Sequence, residues 1–594
     1  MHHTKRWNIA PPDAEHAAEL ASRLRTSPIL AQLLLNRGLS ESQACMEFLR
    51  PSLKCLHEPA ALGGLTKAAE RIAKAVVDKR KIVIYGDYDV DGITAVAILW
   101  HAIRQLGGVV DFYIPHRVEE GYGLNAEAVE QVCKEGAELI VSVDCGITAI
   151  ESANVARQHG VDLIITDHHE WHMDIDAGAA PPTSTPRFPD CYAIVHPRLP
   201  GHEPEYPNPH LCGAGVALKL AWGVGLAMSG ANRCAESFRN FLVEATALAA
   251  LGTIADVVPL VGENRVLAHF GLGGLRESKL TGIKALIASA NLTGQSLDSF
   301  HVGFLLAPRL NACGRIGHAR LAVEMLTTAD ADKAIEIATY LEGQNRARQS
   351  VEKKILAAAI EQIDANDFAA DDRCAIVLGG EGWHTGVIGI VASRIVDRYH
   401  RPTLMVGLSN GHGQGSGRSI EGFHLSHALD ACSEYLEKHG GHAMAAGLRL
   451  ETARFEDFRH AFCEHAGKVM DRSLLVPELK IDCTAELSQV SQALVNDIAR
   501  LGPFGHANRR PLLVCKDVTI AIPPRRVGKT GDHLQLLVRQ GNQSMKCIAF
   551  GFGSQIDQLK QGTTLSLAVE PSLNEYNGRT SVQLEVKDVQ YAQG

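Results

Sequence analysis

Three aspartates alternate with other residues in Gly86-Asp87-Tyr88-Asp89-Val90-Asp91-Gly92. Carboxylates crowded in this way repel and raise one another's pKa. A cation removes the repulsion, and an all-oxygen ligand set suits a hard ion such as Mg²⁺ or Mn²⁺. Two more acid-bearing stretches follow, Val143-Asp144-Cys145-Gly146 and Thr166-Asp167-His168-His169. A fourth, Ala255-Asp256-Val257-Val258-Pro259, sets a carboxylate in an apolar run, where an unpaired charge is costly to bury.

The first three stretches each follow a short apolar run. Ile82-Val83-Ile84-Tyr85, Leu139-Ile140-Val141-Ser142-Val143 and Leu163-Ile164-Ile165 read as buried strands. Residues 125–135 and 149–158 can be helical. Such alternation predicts a parallel sheet with helices on both faces. Ligands of these sheets bind in the crevice beyond the carboxyl ends of the strands. Asp89, Asp91, Asp144 and the triplet 167–169 are therefore expected to converge at one sheet edge. For Asp256 two readings stay open: another ligand carboxylate, or a helix cap.

In this order the motifs resemble those of the DHH phosphoesterase family, named for the Asp-His-His seen at 167–169. Leu310-Asn311-Ala312-Cys313-Gly314-Arg315, the stretch 383–389, Gly415-Ser416-Gly417-Arg418-Ser419 and Gly440-Gly441-His442 extend the likeness. They are similar to the family's single-strand-specific 5′→3′ DNA exonucleases and to the associated DHHA1 domain. The resemblance implies hydrolysis of a phosphodiester with two divalent ions, Mn²⁺ or Mg²⁺, that share Asp144. Asp89, Asp91, His168 and Asp256 would complete the cage, with Asp87 and Asp167 as further ligands or supports at its edge. His169 would contact the scissile phosphate or assist proton transfer. Ser416 and Arg418 would hold the terminal 5′-phosphate together with Arg117. Tyr122, Arg309, Asn311, Arg315 and His442 complete the implied DNA-binding set. Implied products are 5′-mononucleotides, in DNA recombination and repair. Implied partners are single-stranded DNA, a single-strand-binding protein and a helicase, and the implied state is a monomer.

One departure stands out: where the family usually has Asn-Pro after its third motif, this chain has Val195-His196-Pro197-Arg198. The segment 177–190 before it is rich in Pro and Thr and reads as a surface loop. A second enzyme class, a DHH phosphoesterase of short RNA or cyclic dinucleotides, is the alternative, as is a non-catalytic binder. Val527-Gly528-Lys529-Thr530 imitates the end of a phosphate-binding loop, but Pro523 stands where its leading glycine belongs.

Bulk properties fit a multidomain enzyme. At 594 residues, three to four domains are expected. No apolar run of membrane-spanning length and no signal segment is evident, so a cytoplasmic protein is expected. The 14 cysteines form no C-x-x-C pair and read as reduced thiols. A net charge of −9 weighs against nucleic acid, yet local basic segments around Arg309–Arg320, Arg346–Arg348, Arg394–Arg401 and Arg509–Lys529 could line a channel. The expected division is an N-terminal helical segment (1–45), the DHH catalytic domain (46–270) and a helical region with a long connector helix (271–371). An α/β DHHA1 domain (372–470) and a C-terminal barrel (478–594) follow. Short alternating strands after residue 510 suggest the barrel, and the resemblance makes it an OB-fold. Phe504, Phe550, Phe552 and Tyr576 are its candidate base-stacking aromatics. The fold class is thus α/β and multidomain.

Overall fold

The computed structural model describes residues 5–116, 120, 123–176, 183–316, 318–576 and 578–591. The catalytic sheet has five strands, in the spatial order Val109–Tyr113, Lys81–Gly86, Leu139–Val143, Asp162–Thr166 and Ala193–Val195. All four pairings are parallel. Ile82, Ile84, Tyr85 and the whole of Leu139–Val143 are buried because helices cover both faces. Numbered along the chain, the order is 2-1-3-4-5, so the sheet switches direction between Lys81–Gly86 and Leu139–Val143. The acid motifs at 87–91 and 144 follow those two strands, at the switch point where such sheets bind ligands.

Behind the sheet, helices Val90–Gln105, Gly213–Ser229 and Glu236–Ala255 share one large apolar core. The helix Ala331–Ala365 is 35 residues long. Its first half contributes Ile337 and Leu341 to the catalytic core, and its second half gives Ile355 and Ile363 to the next domain. That domain has a mixed five-stranded sheet ordered Lys438–Gly441, Ala445–Glu451, His412–Arg418, Thr403–Ser409, Ile376–Glu381.

The C-terminal strands close into a barrel. Leu513–Ile520 pairs with both His533–Gln540 and Thr564–Tyr576. The circuit runs on through Gln543–Ala549 and the parallel partner Arg579–Tyr591. This five-strand circuit is the OB-fold order. The sequence reading missed the strand Thr564–Tyr576 and split Leu513–Ile520 in two at a bulge between Cys515 and Val518.

Two expectations are corrected. The segment 177–190 is not wholly loop, because Thr183–Arg187 pairs antiparallel with His172–Asp176, a ladder whose alternation Pro186 hides; residues 177–182 lie outside the described residues. The N-terminal segment is neither purely helical nor separate. Arg6–Ile9 pairs in parallel with Glu478–Ile481. Helices Ala14–Leu24, Pro28–Leu35 and Ser42–Leu49 bury Leu20, Leu30, Leu33 and Leu34 in the same core as the barrel. Arg265, 2% exposed, then ties this unit to the catalytic domain by bonding the carbonyls of Phe48, Arg500 and Gly502.

Candidate metal centre and strand-binding cleft

The first acid motif is a strand-to-helix turn. Asp89 caps the helix Val90–Gln105, its carboxylate accepting from the Gly92 N–H at 3.1 Å. Asp91, in the first turn, is 1% exposed. Its two oxygens accept from the N–H groups of Gly213 (2.6 Å) and Ala214 (2.8 Å), at the start of the helix Gly213–Ser229. A helix N-terminus is a ready anion holder, and here it holds a protein carboxylate. Only glycine fits at 213, since a Cβ there would lie 2.7 Å from Asp144 Oδ1. No motif in the sequence marks this turn.

Asp144 reaches the site from strained backbone, and Asp256 from a helix end just before a strained residue. Asp144 has a φ of 60°, and Val257, just after Asp256, has one of 59°. Left-handed backbone at a non-glycine residue costs on the order of 1–3 kcal/mol and is retained where surroundings enforce it. Asp256 terminates the helix Glu236–Ala255, and from that capping position its carboxylate lies among potential ligand atoms of Asp91 and His168.

His168 Nε2 faces three carboxylates: Asp144 Oδ1 at 3.1 Å, Asp91 Oδ2 at 3.7 Å and Asp256 Oδ2 at 3.7 Å. Both His168 Nε2 and Asp144 Oδ1 are sealed from solvent and neither completes a hydrogen bond. Three sets of potential ligand atoms each lie within 4.8 Å: Asp87-Asp89-Asp144, Asp91-His168-Asp256 and Asp144-His168-His169. Burial, then the neighbouring carboxylates, push Asp144 well above the usual carboxylate range and raise Asp89. The same causes push Asp256 up to about 8. Burial lowers His168 and keeps its imidazole neutral and able to ligate. Repelling oxygens around a neutral, unbonded imidazole nitrogen fit two divalent ions.

Asp167 is different. Its oxygens accept from the N–H groups of Ile147 (2.9 Å), His168 (2.7 Å) and His169 (3.1 Å) and from His169 Nδ1 (2.7 Å). Burial would raise this carboxyl, but the His169 bond and charge and these amides hold it well below the usual range. Asp167 joins none of the three ligand sets, so of the two roles drawn for it the supporting one is taken, holding His169 and the turn around it. Burial would lower His169 in turn, and the bond to Asp167 and the surrounding carboxylates raise it to about 9.

The departure at 196 is explained by contact. His196 Nε2 donates to the His169 carbonyl at 2.9 Å, and Arg198 Nη2 to the His168 carbonyl at 2.8 Å.

The cleft residues divide. Arg117 and Tyr122 lie outside the described residues. Arg309 is withdrawn from the DNA-binding set: it is 9% exposed and bonded to the Leu305 carbonyl and to Glu342 at 2.8 Å. Arg348 and Arg401 are likewise engaged inside the protein, the first by Glu352 and the second by main-chain carbonyls, whereas Arg394 is exposed and pairs with Glu352 from the surface. Asn311 accepts from the Val90 N–H at 3.1 Å and so braces the first acid turn. Arg315 crosses to the Gly386 carbonyl at 2.9 Å. Arg418 donates to Ser416 Oγ at 3.2 Å and to the Gly417 carbonyl at 2.7 Å. Gly389 leaves room beside them: a Cβ would stand 2.9 Å from Ser416 Oγ and 3.1 Å from Arg418 Nη2. His442 is exposed and near enough to help lower Glu170, after Arg198. Of the aromatics, Phe552 is core at 2% exposure, Phe550 is 53% exposed, and the Tyr576 side chain lies outside the described residues.

The sequence reading missed a groove of about 1200 Å³ between catalytic helices and the C-terminal unit. Its walls include Val257, the exposed pair Phe300 and Phe304, and Phe504, Arg509 and Arg510. The Phe300 and Phe304 rings are stacked at 4.9 Å on a π-helical stretch, and Arg510 lies 4.6 Å over Phe504.

Comparisons with known proteins agree with this geometry. Residues 81–253 match the DHH family N-terminal domain, 371–468 the DHHA1 domain and 481–588 the RecJ OB domain. The chain is 36% identical over 585 residues to the single-stranded-DNA-specific exonuclease RecJ of Bacillus subtilis, covering 98% of this chain and 70% of that one. The crystal structure of RecJ from Thermus thermophilus in complex with Mn²⁺ superposes with a TM-score of 0.79 at 30% identity, covering 99% of this chain and 80% of that one. The Mg²⁺ complex of the same protein gives 0.74 at 29% identity, covering 99% and 79%.

Proposed function

The chain belongs to the RecJ family, and from that premise we propose that it is a metal-dependent exonuclease that degrades single-stranded DNA from its 5′ end to 5′-mononucleotides, in recombination and repair. The observation that carries the reading is the intact cage of Asp87, Asp89, Asp91, Asp144, His168 and Asp256 at the sheet's switch point. Mn²⁺ or Mg²⁺ bound there would lower the pKa of an attacking water and offset the charge that builds on the phosphate oxygens.

The chain's own residues do the rest. Asp91, pinned by the amides of Gly213 and Ala214, and Asp144, fixed by its strained backbone, set the spacing of the cage. His169, whose Nδ1 is held by Asp167, can donate to a phosphate oxygen beside that cage. Ser416 Oγ and the Arg418 guanidinium are packed together against Gly389, and a hydroxyl beside a planar guanidinium suits a terminal 5′-phosphate. Sequence-tolerant stacking on aromatic rings beside arginines suits a single strand, and the groove with Phe300, Phe304 and Phe504 supplies both. The basic, exposed Arg525, Arg526 and Lys529 on the barrel extend such a surface.

Among the described residues no helix is long and apolar enough to cross a membrane. The reading carries with it a monomer in the cytoplasm, working with a helicase and a single-strand-binding protein. Products from 5′-labelled single-stranded and duplex DNA, with Mn²⁺, Mg²⁺ or EDTA, test it. Labelled mononucleotide should appear first, from the single strand, and vanish with EDTA. Label that persists on shortened fragments, or equal cleavage of duplex, would overturn it.

A further inference from the structure

The strand Ala193–Val195 ends in a segment that contacts every residue from Asp167 to Trp171. The Val195 carbonyl accepts from the Asp167 N–H at 3.1 Å. Arg198 Nη2 donates to the His168 carbonyl at 2.8 Å and Nη1 bonds Glu170. His196 Nε2 donates to the His169 carbonyl at 2.9 Å. The His196 ring meets Trp171 edge-on at 5.3 Å, and the Arg198 guanidinium lies 5.8 Å from the same indole.

His196 is 1% exposed and works from both ring nitrogens. Its Nδ1 lies 3.0 Å from the Arg198 N–H, which can only donate, and its Nε2 faces a carbonyl, which can only accept. One tautomer satisfies both: neutral imidazole with the proton on Nε2. The ring therefore locks the turn of Arg198 and the backbone of His169 in a single step.

The His168 and His169 carbonyls belong to the peptide units that set the directions of the two rings. His168 Nε2 must meet three carboxylates within 3.1–3.7 Å, a tolerance that a small peptide rotation would exceed. We propose that His196, with Arg198, is a positioning residue of the metal centre, a clip that fixes His168 and His169 through their main-chain carbonyls without touching metal or substrate. This rests on the reading of the cage as the site that holds the ions. Partners of metal ligands, when removed, typically cost about 10- to 100-fold in metal affinity or activity.

Two substitutions separate the clip from mere packing. His196→Phe keeps a ring against Trp171 and removes both hydrogen bonds. His196→Asn keeps an acceptor for the N–H two residues on, as asparagine does in tight turns, and a donor for the carbonyl. Mn²⁺ binding is measured by calorimetry, alongside kcat and KM on single-stranded DNA and thermal melting. H196F should bind Mn²⁺ roughly 10- to 100-fold more weakly and lose kcat to a like extent, with KM within about threefold of wild type. H196N should recover most of both losses. The clip is overturned if H196F binds Mn²⁺ as wild type does, or if H196N is no better than H196F. A parallel fall of kcat, KM and melting temperature in both variants also overturns it, by assigning His196 to the fold alone. Failure of the wild type itself to cleave DNA, with Mn²⁺ still bound, would count against the nuclease reading and leave the clip standing.

Discussion

Asp144 sits in an electrostatic conflict, a buried carboxylate facing Asp91, Asp89, Asp87 and Asp256. Asp144→Asn should therefore do two opposite things. Hydrolysis should fall by at least about 10²- to 10³-fold, the loss seen when one charge-stabilising group is removed from an active site. The metal-free protein should melt at a higher temperature than metal-free wild type, because a repulsive charge is gone. Activity within a few-fold of wild type would remove Asp144 from the site. The same conflict gives the protein a pH dependence. Asp144, Asp89 and Asp256 have folded-state pKa values above those of the unfolded chain, Asp256 near 8. For these groups the folded state binds more protons, so their contribution to metal-free stability should decline as pH rises from the ordinary carboxylate range toward about 8. Melting scans in EDTA and in Mn²⁺ should show a stabilisation by metal that grows between pH 5 and pH 8; an increment independent of pH would refute the linkage. At this scale the sequence was informative where chemistry and strand pattern coincide, as at Asp89, Asp144 and His168. It was silent on Asp91's partners, because the amides of Gly213 and Ala214 carry no side-chain signal. It was misleading for Arg309, since a cation next to Asn311 and Arg315 reads alike whether it faces DNA or Glu342.

At the scale of elements, the parallel sheet was legible because its strands are buried on both faces and read as continuous apolar runs. The strand Thr564–Tyr576 was not, for Pro571 interrupts it. That proline is tolerated because Leu513–Ile520 pairs only with residues 564–569, so from Glu570 onward one side of the strand is an edge. The π-helical stretch that presents Phe300 and Phe304 has no periodic signature either. Replacing both rings with Ala should weaken single-strand binding by about 1–3 kcal/mol per stacked base, with cleavage of dinucleotides little changed. Unaltered binding of long strands would show that the rings face solvent to no purpose in DNA binding. On the hairpin that carries Ser416, Arg418→Ala removes the guanidinium that stands beside the Ser416 hydroxyl. Charge-assisted bonds contribute about 1.5–3 kcal/mol, so preference for 5′-phosphorylated over 5′-hydroxyl ends should shrink roughly ten- to a hundred-fold. Arg418→Lys should recover it in part. Equal losses on both ends would assign Arg418 to general support.

For the whole molecule, domain order followed from the family motifs and the strand patterning, but the pairing of residues 6–9 with 478–481 did not. A four-residue strand at Arg6–Ile9 gives no hint that its partner lies at Glu478–Ile481. Removing everything after residue 476 strips the cover from Leu30, Leu33 and Leu34, so the fragment 1–476 should aggregate, whereas 50–476 should stay folded. The shorter fragment should keep metal-dependent cleavage of short strands and bind long ones more weakly, with a flatter salt dependence since fewer phosphates are neutralised. Equal salt slopes for 50–476 and the full chain would exclude the barrel from DNA binding.

The clasp between the chain's ends also orders events in time. Residues 6–49 leave the ribosome well before their partner surface, which is synthesised only after roughly 430 intervening residues. At about 5–20 residues per second, the apolar faces of three short helices stay uncovered for on the order of twenty to ninety seconds. The catalytic domain can mature in that interval, so this early-made segment completes its fold after the domain that follows it. Nascent chains stalled before Glu478 should thus be cut by protease within 10–50, and released full-length chains should resist there.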